Sequence, residues 1–196
     1  MTRIVVLGGC GGIGTVASRA LSAAGADVVV ADLDGGRAEQ LADVLGAESM
    51  VLDASSPESL RPAMDGADVV LNCVGPFYRF GPPILAAAID AQIDYVDVCD
   101  DLAPTRVMLA MDQSARDAGI TALVGMGNSP GIANVFVRLC ADQLLDEVET
   151  VDIMHVHGGE PDEGAGVLKH RIHAMVNPVP LFVDGDFVEV RQLDAD

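Results

Sequence analysis

Arg3-Ile4-Val5-Val6-Leu7-Gly8-Gly9-Cys10-Gly11-Gly12-Ile13-Gly14 decides the fold. A short apolar run enters a glycine turn, and a helical pattern follows from Ile13 to Ala24. Gly9, Gly11 and Gly14 stand at the GxGxxG spacing of a dinucleotide-binding turn. Gly9 lets the chain turn sharply off the strand. Gly11 keeps side chains away from an approaching pyrophosphate, and Gly14 lets the helix pack closely on the sheet. The N–H groups of the first helical turn, with Gly12 and Ile13 among them, sit at the positive end of the helix dipole and face the phosphates. Asp32, with Leu33 beside it, closes a second apolar run, Asp27-Val28-Val29-Val30-Ala31. A carboxylate there accepts hydrogen bonds from the adenosine ribose and repels a 2′-phosphate, which favours NAD. Arg37 is close enough in sequence to keep NADP open. The competing reading is a doubly wound domain whose glycine turn is unused.

Gly8, Gly12 and Gly14 also fit the Gly-x-x-x-Gly-x-Gly spacing of short-chain dehydrogenases, which need a Tyr-x-x-x-Lys pair. Tyr78 and Tyr95 are followed four residues on by Pro82 and Cys99, so that reading fails.

A chain of 196 residues holds one full domain and part of another, and 50% hydrophobic content is ample for a core. A net charge of −19 repels nucleic acid and anionic membranes and mildly favours cationic substrates. No apolar run is long enough to span a bilayer, and Asp27 and Asp32 interrupt the early apolar stretches, so neither a membrane span nor a signal peptide is expected. Cys10, Cys73, Cys99 and Cys140 form no CxxC pair. They read as reduced thiols in a cytoplasmic protein rather than zinc ligands or disulfides, and no metal site is expected.

Strand patterns at Arg3–Leu7, Asp27–Ala31, Ser49–Leu52, Asp68–Cys73, Asp94–Val98 and Ile120–Val124 alternate with helical ones at Ile13–Ala24, Arg37–Leu45, Pro57–Met64, Pro83–Ala91 and Pro104–Ala118. Nearly all-apolar strands alternating with helices predict an α/β, Rossmann-type doubly wound parallel sheet covered on both faces. Right-handed crossovers bring every strand's C-terminal end to one edge, where ligands bind. Along that edge fall Gly8 to Gly14, Asp32, Asp53-Ala54 as adenine neighbours, Cys73-Val74-Gly75-Pro76-Phe77, Cys99-Asp100-Asp101 and Gly125-Met126-Gly127-Asn128. The first three strands should hold the adenosine half, the next three the nicotinamide and the substrate.

Ser129 suits an N-cap and Pro130 a first helical turn, with the helix running to about Leu145. Beyond it, Thr150–Val156, Leu168–Met175 and Pro180–Val190 read as longer strands, with a hairpin at Asp184-Gly185. The expected division is therefore a dinucleotide-binding domain over 1–146 and the start of a second, mainly antiparallel α+β domain over 147–196. Little sequence remains to cover that second sheet. The chain thus reads as a fragment of a longer protein, or as one whose sheet a partner subunit buries.

Gly9-Cys10-Gly11-Gly12-Ile13-Gly14, Asn72-Cys73-Val74-Gly75-Pro76-Phe77-Tyr78, Asp94-Tyr95-Val96-Asp97 and Gly127-Asn128-Ser129-Pro130-Gly131 occur in that order. Together they resemble the saccharopine dehydrogenase-like family, over residues 1 to about 140. Members are longer than this chain, and their second domain supplies substrate contacts and often a dimer interface. The resemblance implies hydride transfer between a nicotinamide and a carbon–nitrogen bond of an amino-acid or polyamine-like substrate, and a homodimer through the second domain.

Such a reaction needs the substrate carbon about 3–3.5 Å from the nicotinamide and a group that manages one proton. Asp97 and Asp100 can bind a substrate ammonium or orient the nicotinamide ribose, while Asp100 and Asp101 can equally cap the next helix. His155 and His157 alternate on one strand face and can transfer protons, or lie on a solvated face. Lys169, His170, Arg171 and His173 form the one basic cluster and can hold a substrate carboxylate, or lie on an ordinary surface strand. Cys73 and Cys99 read as small apolar packing in the cleft. The catalytic candidates are thus Asp100, His155 and Lys169. Two other readings stand beside the enzyme: a non-catalytic NAD(P)-binding or assembly module, and another NAD(P)-dependent dehydrogenase on the same fold.

Overall fold

The computed structural model describes residues 1–154, 156 and 165–191, with the backbone alone at 165–167, 170, 171 and 174. Six strands form one sheet: β1 (Arg3–Leu7), β2 (Asp27–Asp32), β3 (Glu48–Val51), β4 (Val69–Asn72), β5 (Asp94–Asp97) and β6 (Ala122–Leu123). Their order is β3-β2-β1-β4-β5-β6, and every neighbouring pair is parallel. The order reverses between β1 and β4, the switch point of a doubly wound sheet. The connections carry α1 (Gly12–Ala23), α2 (Gly35–Leu45), α3 (Pro57–Met64), α4 (Phe77–Ala91), α5 (Leu102–Leu109) and α6 (Asp112–Ala118).

The inner strands β1 and β2 are apolar because both faces are covered. Val5, Leu7, Val29 and Ala31 pack on one side with Leu60, Ile84 and Leu85, and Val6, Val28 and Val30 pack on the other with Ala38 and Leu41. At the edge where the strands begin, Arg3 reaches Asp27 at 2.8 Å and Glu48 at 2.6 Å, and its backbone N–H donates to Asp68 at 2.7 Å. One residue thereby ties the starts of β1, β2 and β3 to the turn before β4.

Several boundaries differ from the sequence reading. The helix expected at Pro83 starts at Phe77, with Pro82 and Pro83 inside it. Phe77 is buried and Gly81 lies against Met108, so packing outweighs the two backbone bonds that the prolines cannot make. The helix expected over Pro104–Ala118 is two, α5 and α6, broken at Ala110-Met111. The last parallel strand shrinks to Ala122–Leu123, because only two residues pair with β5 at this open edge. The next helix is α7 (Ile132–Gln143), capped by Gly131 rather than Ser129. The Gly131 N–H donates to Asn134 Oδ1 at 3.0 Å, and its φ of 120° excludes a side chain there. Both Gly75-Pro76 and Ser129-Pro130 are cis.

The antiparallel expectation holds for one hairpin, β7 (Val179–Val183) and β8 (Asp186–Val190), turning at Asp184-Gly185 with both φ values positive. It fails elsewhere. Residues 150–154 and 156 carry no strand, since no partner strand lies beside them among the described residues. Leu168–Met175 belongs to α8 (Ala165–Val176). Leu168, Ile172 and Met175 recur at helical spacing over an unbroken stretch, and that period wins.

Candidate functional site

The glycine turn is built from the backbone outward. Gly8 has φ 71°, so β1 ends in a conformation that side chains rarely adopt. Gly9 N–H donates to Ala31 O at 3.0 Å, and Gly11 N–H donates to Gly8 O at 3.0 Å. A Cβ at Gly14 would overlap the Gly8 carbonyl, so α1 can start this close to β1 only with glycine there. A Cβ at Gly12, by contrast, would meet open space. No side chain caps α1, and its first turn holds no acidic residue. Gly12, Ile13 and Gly14 therefore present amides at the positive end of the helix dipole, a cradle suited to an anion.

Asp32, at the end of β2, stands beside this turn. Its Oδ2 accepts Cys10 N–H at 2.9 Å and its Oδ1 accepts Asp34 N–H at 3.2 Å. Arg37 Nη2 donates to the Cys10 carbonyl at 2.6 Å, so Asp32 and Arg37 grip the chain on both sides of Cys10. Leu33 is exposed at the same edge. Asp53 follows β3 and accepts the Ser55 N–H and hydroxyl at 2.9 and 2.6 Å, which lowers its pKa below the usual carboxylate value. Ala54 packs against the core beside it.

The loop after β4 closes the cradle. Cys73 N–H donates to Leu7 O at 2.9 Å, and a Cβ on Gly8 would lie 3.1 Å from Cys73 O and 3.2 Å from Val74 Cγ2. Gly75 is exposed. The structure thus brings the glycine turn, Asp32 and Cys73-Val74-Gly75 to one edge. Burial, and then the charge of Asp97, push the Cys73 thiol up to about 12, so it stays protonated near neutrality and serves as packing.

The substrate-side candidates fare differently. Asp97 does not face a substrate. It is fully buried, and its carboxyl accepts Tyr95 OH at 2.9 Å, Cys99 N–H at 3.0 Å and Gly125 N–H at 2.7 Å. Burial of a polar group demands such partners, and they occupy three of the roughly four acceptor sites of this carboxylate. Asp100 is exposed on the loop after β5, and Asp101 occupies the N-cap position of α5, where its carbonyl receives the Thr105 hydroxyl at 2.8 Å. His155 and His157 lie outside the described residues. Lys169 is exposed on α8 rather than on a strand, four residues from His173. The His173 ring stacks on Tyr78 with centroids 4.4 Å apart. Because Tyr78 sits in the first turn of α4, that stack carries α8 to the edge where the loops gather.

Sequence reasoning missed the Asn72–Tyr95–Asp97 chain of hydrogen bonds. The available signal was the polar residues at the ends of otherwise apolar strands, since Asn72 and Asp97 are register partners. Among the described residues, surface depressions also lie elsewhere. One of about 720 Å³, beside Arg61, Asp65 and Gln92, is at the opposite edge of the sheet, and one of about 420 Å³ runs along α7 past Arg138 and Asp142. Among the described residues no helix is long and apolar enough to cross a membrane.

Comparison with known proteins places this edge in a family. Carboxyaminopropylagmatine dehydrogenase of Synechocystis sp. is 26% identical over 172 residues, covering 81% of this chain and 42% of the relative. Carboxynorspermidine synthase of Vibrio alginolyticus is 26% identical over 176 residues, covering 78% and 42%. A trans-acting enoyl reductase of Mycobacterium tuberculosis is 31% identical over 144 residues, covering 68% and 34%. The chain therefore spans about two fifths or less of the length of these relatives. Apo saccharopine dehydrogenase (L-Glu forming) from Saccharomyces cerevisiae superposes with a TM-score of 0.62 at 25% identity, over 70% of this chain and 30% of that one. The family profile described as "Saccharopine dehydrogenase NADP binding domain" matches residues 4–123, from β1 through β6, and the chain belongs to that family.

Proposed function

We propose that this chain is the cofactor-binding part of a nicotinamide-dependent oxidoreductase. Its reaction moves a hydride at a carbon–nitrogen bond of an amino-acid or polyamine-like substrate. The observation that carries the reading is the uncapped start of α1, held against Gly8 by Gly14 and flanked by Asp32 and the loop after β4. Gly9, Gly11, Gly12, Ile13 and Gly14 receive the pyrophosphate, with Asp32 and Leu33 on the adenosine ribose. Asp53 and Ala54 lie by the adenine, and Cys73, Val74 and Gly75 lie under the nicotinamide side. The nicotinamide, when bound, donates or accepts the hydride. Asp32 favours NAD, whereas Arg37, five residues on in the first turn of α2 and directed at Cys10, offers a partner to a 2′-phosphate.

On the substrate side Asp100 and Lys169 are the proposed charge partners, one for an ammonium and one for a carboxylate, with His155 as a third candidate. The division into 1–146 and 147–196 assigns α7 to the first unit and the hairpin to a second that contacts substrate and pairs two subunits. The scattered cysteines support a cytoplasmic setting. Titration of the chain with NADH and NADPH is expected to give saturable binding, and absence of both sinks the proposal. Turnover of reduced cofactor with an imine-forming amino-acid or polyamine panel then separates an enzyme from a binding module. The enoyl reductase relatives favour a second reading, hydride delivery to a carbon–carbon double bond, and an enoyl substrate in the same panel tests it.

A further inference from the structure

Asn72 ends β4, Asp97 ends β5, and Tyr95 stands two residues before Asp97 on the same strand face. All three are fully buried. Their bonds form one continuous chain. Val74 N–H donates to Asn72 Oδ1 at 2.9 Å, Asn72 Nδ2 donates to Tyr95 OH at 3.0 Å, and Tyr95 OH donates to Asp97 Oδ2 at 2.9 Å. Asp97 Oδ1 then accepts Cys99 N–H at 3.0 Å and Gly125 N–H at 2.7 Å, while the Asp97 carbonyl accepts Met126 N–H at 2.7 Å.

The far ends of this chain are Val74, Cys99, Gly125 and Met126. They belong to three different loops, those after β4, β5 and β6, and all three leave the same edge of the sheet. No link in the chain reaches the α1 start or Asp32. The edge is therefore held by two hydrogen-bonded devices, which share no hydrogen bond and meet only in packing, where Cys73 and Val74 lie against Gly8. Asp32 and Arg37 brace the glycine turn on the β1–β2 side, and the Asn72–Tyr95–Asp97 network braces the β4–β6 side.

Tyr95 cannot serve as the proton donor of a reaction. Burial first, and then the charge of Asp97, raise its phenol well above its usual range, and its oxygen is shared between Asn72 and Asp97. The network is internal, so its influence passes through the loops it holds.

We propose that Asp97, acting through Tyr95 and Asn72, is a positioning residue that fixes three loops against the nicotinamide half of the dinucleotide and leaves the adenosine half to the glycine turn. The inference rests on the cofactor reading above. It divides binding energy between two halves of one ligand, and that division can be measured without turnover. Tyr95→Phe keeps the ring and its packing while removing the hydroxyl that joins Asn72 to Asp97. Asp97→Asn keeps the shape and one acceptor oxygen.

The test uses the full 196-residue chain. Whichever of NADH and NADPH the wild type binds more tightly is titrated by calorimetry beside its adenosine half alone, ADP-ribose or the 2′-phosphorylated form. For Tyr95→Phe, affinity for the half-ligand is expected to stay within about twofold. Affinity for the whole dinucleotide should fall about tenfold, the size of one broken buried hydrogen bond. Circular dichroism and a cooperative urea transition establish that the variant is folded. If Tyr95→Phe does not fold, Asp97→Asn is read the same way. Parallel loss of both affinities, no loss of either, or failure of both variants to fold overturns the proposal. A wild type that binds the half-ligand but gains nothing from the nicotinamide overturns this inference alone, and a wild type that binds neither overturns the cofactor reading with it.

Discussion

Asp32 accepts Cys10 N–H at 2.9 Å and Asp34 N–H at 3.2 Å, so removing its carboxyl disturbs the turn as well as any ligand. Asp32→Ala is expected to shift the NAD-to-NADP affinity ratio about tenfold towards NADP and to cost about 1 kcal/mol of stability. Competition titrations with NADH and NADPH, alongside urea unfolding, check both, and an unchanged ratio would separate Asp32 from the ribose. The half-buried Cys73 and the buried Cys99 make a second residue-level case. Burial pushes Cys73 up to about 12 and Cys99 to about 11, from an ordinary 9.0. Below pH 9 both states keep these protons, so the stabilising contribution is complete. It is lost as pH rises through 11 to 12, because the unfolded thiols ionise first. Native alkylation at pH 8, followed by mass spectrometry, should be slow at both and fast once urea unfolds the chain. Asp32 and the glycines were legible in the sequence because their spacing is local and fixed. The Asn72–Tyr95 bond was not, because 23 residues separate its partners and only the register of β4 on β5 unites them.

At the scale of elements, Arg3 shows how one side chain gathers strand starts. Its ion pair with Glu48 lowers the Glu48 pKa, through the hydrogen bond first and the charge second. A lowered carboxylate stabilises the fold above its ordinary pKa of 4.5 and loses that effect as pH falls. Arg3→Met should therefore lower the urea midpoint at pH 7, and the gap from wild type should close towards pH 3. The strand positions and the parallel sheet were legible because most strands are apolar runs between turn residues, whereas the order β3-β2-β1-β4-β5-β6 emerged only from the structure. The early start of α4 at Phe77 was hidden by Pro82 and Pro83, which read locally as a helix beginning. The break at Ala110-Met111 carries no glycine or proline to announce it. For α8, the consecutive Lys169, His170 and Arg171, with His173 after Ile172, masked the 3.6-residue period of Leu168, Ile172 and Met175.

For the whole molecule, charge is the dominant global quantity. A net −19 repels itself in the compact state, and salt screens that repulsion within about 10 Å at 0.1 M. Raising sodium chloride from about 0.05 to about 0.5 M should raise the thermal midpoint by several degrees, and a scanning melt series reads it directly. A flat or falling series would mean that local pairs such as Arg3–Glu48 outweigh the net charge. The grip of Asp32 and Arg37 on Cys10 has a different reach. A segment fastened on both sides loses its conformational entropy when the chain folds, not when a nucleotide arrives. Recognition then approaches rigid docking: little heat-capacity change from loop ordering, and an association rate governed by diffusion and charge.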